Sequence, residues 1–431
     1  MDRPKISESD TTSLPGDDAE AVDPVLGEEL MCLLTPGTVV VVGGGAMEPT
    51  GLLSALRSVC CRLLDVTIVF GIHGGRLFAG HSCAGTRVVR FGAFGSDVEL
   101  VTGSQIQRLA YSRIPDYLGR LSSNLVTMVQ VAPLGPGGHS LGLAAEYLPA
   151  SIEASSAVLA EVNVRAPRTR TDCGVHYAAV ARSWMVDRTI PAHTRQGAEE
   201  TPELARHLGE LVPQGATLQL GLGRIIDTAA LGLVDHRHLA IRSGIVGDAV
   251  MRLQRAGAIR THVGRPAIRT TMILGSADLY EWAGEGNVLL SRVEDTHDAQ
   301  SLGGVDDFFA INSALQVGLN GDVNSEVAGG RYTGAVGGLA DFAEAATAST
   351  GGTSVIVLPS TAKGGRESRI VSPGPEVVSL PHRYVGAVIT EFGAARLVGL
   401  DTRDRAIALA GIAHPVFRDQ LMAAARNSTV A

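Results

Sequence analysis

The sequence predicts an α/β protein of two domains with mainly parallel sheets, and three observations predict it. At 431 residues the chain exceeds what one hydrophobic core usually organises. Short apolar runs alternate with helix-like segments, the pattern of strand–helix–strand units. Glycine is abundant, 52 of 431, which suits tight turns and close backbone approaches around parallel strands better than long helical bundles.

Residues 1–24 mix Ser, Asp, Glu, Thr and Pro without apolar periodicity and read as a disordered tail. A first domain over residues 25–187 follows. It opens with a β-branched run, Thr38–Val42, then Gly43-Gly44-Gly45, a helix from Pro49 to about Leu64 and a strand Val66–Phe70. Further strands are expected at Leu125–Val131 and Val158–Val162. The polar stretch 188–203, bracketed by Pro191 and Pro202, reads as a linker. The second domain, 204–431, starts with a strand Thr217–Leu220, a turn Gly221-Leu222-Gly223, and Ile225, Ile226, Ala229, Ala230, Leu233 and Val234 at helical spacing. Strands Leu239–Ser243, Val355–Leu358 and Val385–Thr390 and helices at Asp248–Ala256 and Thr402–Ala413 complete the expectation.

Composition narrows the function. Hydrophobic residues at 45% against 19% charged indicate a folded globular chain, and a net charge of −8 offers no electrostatic footprint for nucleic acid or an anionic membrane. There is no apolar stretch long enough for a membrane span and no signal-peptide core, so a soluble cytoplasmic protein is expected. Five cysteines, Cys32, Cys60, Cys61, Cys83 and Cys173, lack zinc-ligand spacing and read as reduced thiols; no metal site is expected. Of 36 basic residues only Lys5 and Lys363 are lysines.

Several motifs carry chemistry on paper. Gly221-Leu222-Gly223 follows a strand and opens a helix, where backbone N–H groups can face an anion such as a diphosphate; an ordinary strand–helix turn explains the same residues. The dinucleotide fingerprint fails because Glu48 stands in its third glycine place. Gly138-His139-Ser140-Leu141-Gly142 matches the nucleophile-elbow pattern around Ser140, but a loop separates it from its strand, and it reads as a surface turn. His236 and His238 lack a third ligand and read as a solvated turn. Gly334–Gly338 before Asp341-Phe342 is a turn whose N–H groups can stabilise an oxyanion, and Lys363 lies just past a strand end, where open α/β sheets bind ligands.

The Gly221 turn and Gly334–Phe342, together with Glu48-Pro49-Thr50, Ala160–Asn163 with Pro167-Arg168-Thr169, Ser360–Gly365, Thr390–Gly393 and Ile412–Pro415, stand in the order found in acetyl-CoA hydrolase/CoA-transferase proteins. From about Thr38 to Asp419 the chain resembles that family, in particular its 4-hydroxybutyrate and butyrate:acetate CoA-transferase branch. The resemblance implies two similar CoA-transferase-type α/β domains with the site between them, coenzyme A bound mostly by the second, and a homodimer. It implies CoA contacts from Gly221, Leu222, Gly223, Arg224 and Ile225 and from Lys363, and an oxyanion N–H from Gly338. Coenzyme A enters as part of the substrate, with no tightly bound cofactor.

The family's nucleophile is a glutamate in a His-Ser-Glu stretch, and here the matching stretch is Arg242-Ser243-Gly244. Gly244 has no carboxylate, so an acyl-glutamyl anhydride cannot form there. The lost side chain is expected to open space beside the thioester carbonyl. A second departure falls at Glu294–Asp298, where relatives carry an Asn-Asp-Pro turn. Three readings follow. The first is acyl transfer or hydrolysis without a covalent glutamyl intermediate, with acyl-CoA and a small acceptor as partners and Glu326, Asp248 or His297 as base. The second is CoA transfer through a substitute carboxylate, and the third is a non-catalytic CoA-binding protein.

Overall fold

A computed structural model describes residues 24–71, 74–80, 83–92, 103–121, 124–193, 201–260 and 266–427. Of the expected tail, 1–24, all but Pro24 lies outside the described residues, as does the middle of the expected linker.

Val39–Val42 shows how the chain makes a sheet buried on both sides. Val39 and Val41 enter one core cluster and Val40 and Val42 another, as a side-chain period of two requires. It is the central strand of a seven-stranded, wholly parallel sheet. The spatial order is Gln105–Ile106, Thr86–Arg90, Val66–Phe70, Val39–Val42, Leu125–Val131, Ala157–Asn163, Val180–Val186. Helices Pro24–Leu33 and Thr50–Val59 cover one face through Leu30, Leu52, Leu53 and Leu56.

The second sheet has nine strands in the order Gly393–Arg396, Ala387–Thr390, Thr353–Val357, Phe308–Ser313, Thr217–Leu220, Ala240–Arg242, Ile268–Thr270, Leu289–Leu290, Arg170–Thr171. Every pairing is parallel except the final hairpin of Ala387–Thr390 with Gly393–Arg396. Helices Thr402–Gly411 and Pro415–Asn427 cover its outer face with Leu409, Leu421 and Ala425 against Ile356 and Val388. Arg170–Thr171, from the first half of the chain, supplies the last strand, and one continuous core joins residues of both sheets.

The strands Val66–Phe70, Leu125–Val131 and Thr217–Leu220 and the turn at Gly221 fall as the sequence predicts. Strand Phe308–Ser313 and helices Leu339–Ala348 and Pro415–Asn427 carry no comparable signal, and helix Pro202–Leu211 begins inside the expected linker. Not all cysteines are free thiols. Cys61 and Cys83 form a disulfide, their Cα atoms 4.9 Å apart. Cys61 follows helix Thr50–Val59 and Cys83 precedes strand Thr86–Arg90, so the pairing arises from packing and has no signature in sequence spacing. No helix among the described residues is long and apolar enough to cross a membrane.

Candidate active site

In the nine-stranded sheet the chain leaves the two central strands, Thr217–Leu220 and Phe308–Ser313, in opposite directions, and a crevice opens beyond their carboxyl ends. Gln219 and Asn312 tie the two strands by reciprocal amide hydrogen bonds of 3.0 and 2.8 Å. Gly221 continues the ladder, its N–H donating to the Ile311 carbonyl at 2.8 Å, and a Cβ there would sit 2.9 Å from Asn312 Oδ1. Gly223 turns the chain at φ 128°, a conformation only glycine takes easily, into helix Arg224–Ala230.

The resulting cleft, about 390 Å³, collects the separate motifs. Gly221, Leu222, Gly223, Arg224 and Ile225 line one side and Gly334–Gly338 another; Gly244 lies between them, with Tyr111, Thr271, His297, Asn312, Phe342 and Arg369 completing the wall. Gly244 is held from both sides. Its carbonyl accepts from the N–H groups of Thr271 and Met272, and the neighbouring Ser243 Oγ donates to the Leu220 and Ile245 carbonyls.

The space beside Gly244 is not vacant, contrary to the sequence expectation. His297, placed by helix Val293–Thr296, fills it: a Cβ on Gly244 would lie 2.6 Å from His297 Nε2, and one on Gly338 would lie 2.8 Å from the same atom. The imidazole packs between the rings of Phe342 and Tyr111, at 4.6 and 5.3 Å between centroids, and is only 3% exposed. Burial, partly opposed by the Val293 carbonyl, pushes its pKa down to about 3, so the ring is neutral.

The first sheet's side of the molecule grips this wall at three points. Tyr111 N–H donates to the Gly337 carbonyl at 3.0 Å; Ser112 donates through N–H and Oγ to Asp341 at 3.1 and 2.6 Å; and Arg108 forms a forked pair with Glu326 at 2.7 and 2.9 Å. The Glu326 carboxylate also accepts from Tyr332, and its backbone carbonyl accepts from the N–H groups of Thr333 and Gly334. Burial raises the Glu326 pKa, but the hydrogen bonds and charge of Arg108 and the donors Tyr332 and Ser379 outweigh it and hold the carboxyl below its usual value. Glu326 is thus an anion committed to its partners, and Ser325 rather than Glu326 faces the cleft.

Other sequence candidates fall elsewhere. Lys363 lies outside the cleft lining on an exposed hairpin, paired with Glu367 at 2.8 Å, while Arg369 reaches the cleft with its Nη1 3.2 Å from the Ala314 carbonyl. Asp248 accepts from Ser276 and is not among the lining residues. Ser140 is no surface turn: it is buried, its Oγ accepting from Gly142 N–H at 3.1 Å. His236 is likewise buried, against the Val212 carbonyl at 2.9 Å, rather than solvated. Tyr111, Thr271, Asn312, Phe342 and Arg369 escape sequence reasoning. Asn312 lies in an unrecognised strand, Phe342 stands on the helix after the glycine turn with no role assigned from sequence, and the others meet the motifs only through tertiary packing.

Residues 275–425 match the acetyl-CoA hydrolase/transferase C-terminal domain family. The chain is 34% identical over 310 residues to a 4-hydroxybutyrate coenzyme A transferase from Clostridium kluyveri, covering 69% of this chain and 71% of the relative. It is 30% identical over 342 residues to a butyryl-CoA:acetate CoA-transferase from Anaerostipes caccae, covering 75% and 76%. Among solved structures, RipA from Yersinia pestis superposes with a TM-score of 0.84 at 26% identity over 93% of this chain and 96% of that one. A 4-hydroxybutyrate CoA-transferase from Porphyromonas gingivalis gives 0.76 at 29% identity over 94% and 97%. A parallel-sheet crevice lined by the family's glycine turns, in a chain related to these proteins over most of its length, places it among enzymes of the acetyl-CoA hydrolase/CoA-transferase family.

Proposed function

We propose that the protein is an acyl-CoA-dependent enzyme that transfers the acyl group, or hydrolyses the thioester, without a covalent glutamyl intermediate. One observation carries this reading: among the described residues lining the cleft there is no Asp or Glu, and Gly244 and Gly338 face a single imidazole. Both formal charges on the lining, Arg224 and Arg369, are positive and suit the phosphates of coenzyme A. The Gly221–Ile225 turn would take the pantetheine or diphosphate, the Gly338 N–H the oxyanion, and Lys363 a part of the nucleotide outside the cleft. A homodimer in the cytoplasm belongs to the same proposal; a monomer mass in light scattering at micromolar concentration removes the dimer.

The names of the relatives favour a second reading, CoA transfer between an acyl-CoA and a carboxylate. It requires a carboxylate near 3 Å from the thioester carbon. Glu326, the carboxylate named as a candidate from the sequence, would have to abandon Arg108 and Tyr332. Incubation with a panel of acyl-CoAs, reading free CoA with and without acetate, alcohols and amines, separates the readings. CoA release without a carboxylate acceptor, and no hydroxylamine- or borohydride-sensitive glutamyl adduct, is the expected result. Acetate-dependent formation of acetyl-CoA would establish the second reading, and no turnover with any acceptor would leave a CoA-binding protein.

A further inference from the structure

His297 occupies a place in the cleft where two backbone-only positions, Gly244 and Gly338, meet. The built Cβ positions of Gly244 and Gly338 fall 2.6 and 2.8 Å from its Nε2, so that nitrogen stands where a side chain at position 244 would begin and beside the expected oxyanion N–H. A second contact bears on which way the ring can act. Thr296 Oγ1 donates to the carbonyls of Arg292 and Val293, at 3.2 and 3.3 Å, and lies 2.9 Å from His297 Nδ1. The hydroxyl has one proton; given to either carbonyl it leaves the oxygen to accept from Nδ1–H, the tautomer in which the Nε2 lone pair faces the glycines. Tyr111 and Phe342 clamp the ring in that orientation.

Resting on the function proposed above, we infer that His297 is the catalytic base of a direct acyl transfer and that the acceptor is a neutral hydroxyl, water included. Nε2 takes the proton of the acceptor O–H as its oxygen bonds to the thioester carbon. The carbonyl electrons move to the oxygen, held by the Gly338 N–H. Collapse breaks the C–S bond, and Nε2–H returns the proton to the departing sulfur, so acyl-S-CoA and HO–R become acyl-O–R and HS-CoA. A base at this point serves an acceptor that has a proton to lose. A carboxylate acceptor is already ionised at neutral pH and has no use for it.

The test compares wild type, His297→Gln and His297→Ala, reading CoA release from an acyl-CoA with water, with a short alcohol and with acetate. Calorimetric CoA binding reports that each variant keeps its fold. The expected result is a kcat at least about 100-fold lower in His297→Gln with KM for acyl-CoA within about threefold. Added imidazole should restore part of the rate in His297→Ala. A His297→Gln kcat within about threefold of wild type overturns the assignment while leaving the proposed function standing. So does a loss that appears equally in CoA affinity and is not rescued by imidazole, since that is the signature of packing alone. Wild-type enzyme that releases CoA only with acetate overturns the function itself, and the base with it.

Discussion

The two sheets reverse strand order at their centres in the same way, and the two reversals end differently. Beyond Val39–Val42 and Leu125–Val131 large side chains fill the crevice. Tyr147 Oη donates to the Val42 carbonyl at 3.2 Å, a Cβ on Gly142 would lie 2.6 Å from Met47 Cε, and one on Gly71 would lie 2.8 Å from Tyr147 Oη. Beyond Thr217–Leu220 and Phe308–Ser313 the corresponding space is kept by glycines and one imidazole. Topology supplies a crevice at both places, and side-chain size decides which becomes a site. The charge chemistry differs as well. The filled crevice buries Glu146 and half-buries Glu48, and desolvation pushes the pKa of each up to about 7, whereas the open one buries a neutral histidine whose pKa burial pushes down to about 3.

The contrast is broken most sharply by giving the open crevice a side chain. Gly244→Glu alone should abolish turnover, by about 100-fold or more, because its Cβ collides with His297 and does not enter free space. Gly244→Glu combined with His297→Gly should be the variant that gains acetate-dependent CoA transfer. Single-turnover assays with acetate read both, and transferase activity in the single variant would show that the imidazole moves aside.

The opposite operation, hollowing the filled crevice, should cost stability and not function. Met47→Ala is expected to lose about 2–5 kcal/mol in urea melts while CoA affinity holds, since Met47 is buried in the core and is not among the cleft-lining residues.

Acid and base titrations should separate the two crevices next. Glu48 and Glu146 bind more protons folded than unfolded between about pH 4.5 and 7, so the stability they contribute is complete below 4.5 and is lost as pH rises through 7. His297 binds fewer protons folded, so its contribution is present above 6.5 and is lost as pH falls through about 3. Tyr111 sits between the two groups, donating to Glu146 and stacking on His297. Glu146→Gln should remove up to about 3 kcal/mol of the decline between pH 4.5 and 7, whereas His297→Gln should remove the gain of stability between about pH 3 and 6.5 and so steepen the decline where the two windows overlap. Urea melts at pH 4, 5, 6 and 7.5 decide, and identical slopes in both variants would contradict the assignment.

The smallest effect is expected at Lys363. Its exposed pair with Glu367 is worth no more than about 1 kcal/mol, and Lys363→Ala should weaken CoA binding less than Arg369→Ala. Calorimetry showing the reverse order would move the main phosphate contact out of the cleft.

Much of the open crevice was legible because glycine turns are local. Gly221–Gly223 and Gly334–Gly338 announce themselves beside a strand and a helix, and both reach the cleft. What joins them was not legible. His297 could be named as a base candidate, yet nothing in Glu294–Asp298 says that its ring lands on Gly244, since that contact needs Tyr111 and Phe342 to clamp it from distant segments. Glu326 could likewise be named as a base candidate, but its partner Arg108 lies 218 residues away. The disulfide partner of Cys61, 22 residues on, and the reciprocal pair of Gln219 and Asn312, 93 residues apart, are hidden for the same reason: periodicity reports which face is buried and not what it is buried against.

The strand Arg170–Thr171 bears on how the polypeptide comes off the ribosome. It closes the edge of the nine-stranded sheet, bonded through Thr171 Oγ1 to the Leu290 carbonyl, 119 residues further along. During synthesis it emerges long before its partner exists, and the second sheet stays open at Leu289–Leu290 until this earlier segment returns to it. A gene cut at residue 188 would therefore yield a C-terminal fragment with a bare, pairing-competent edge and an N-terminal fragment carrying the missing piece. The two halves are built to be made in one chain, and co-expressed fragments should recover solubility only when the first extends through Thr171.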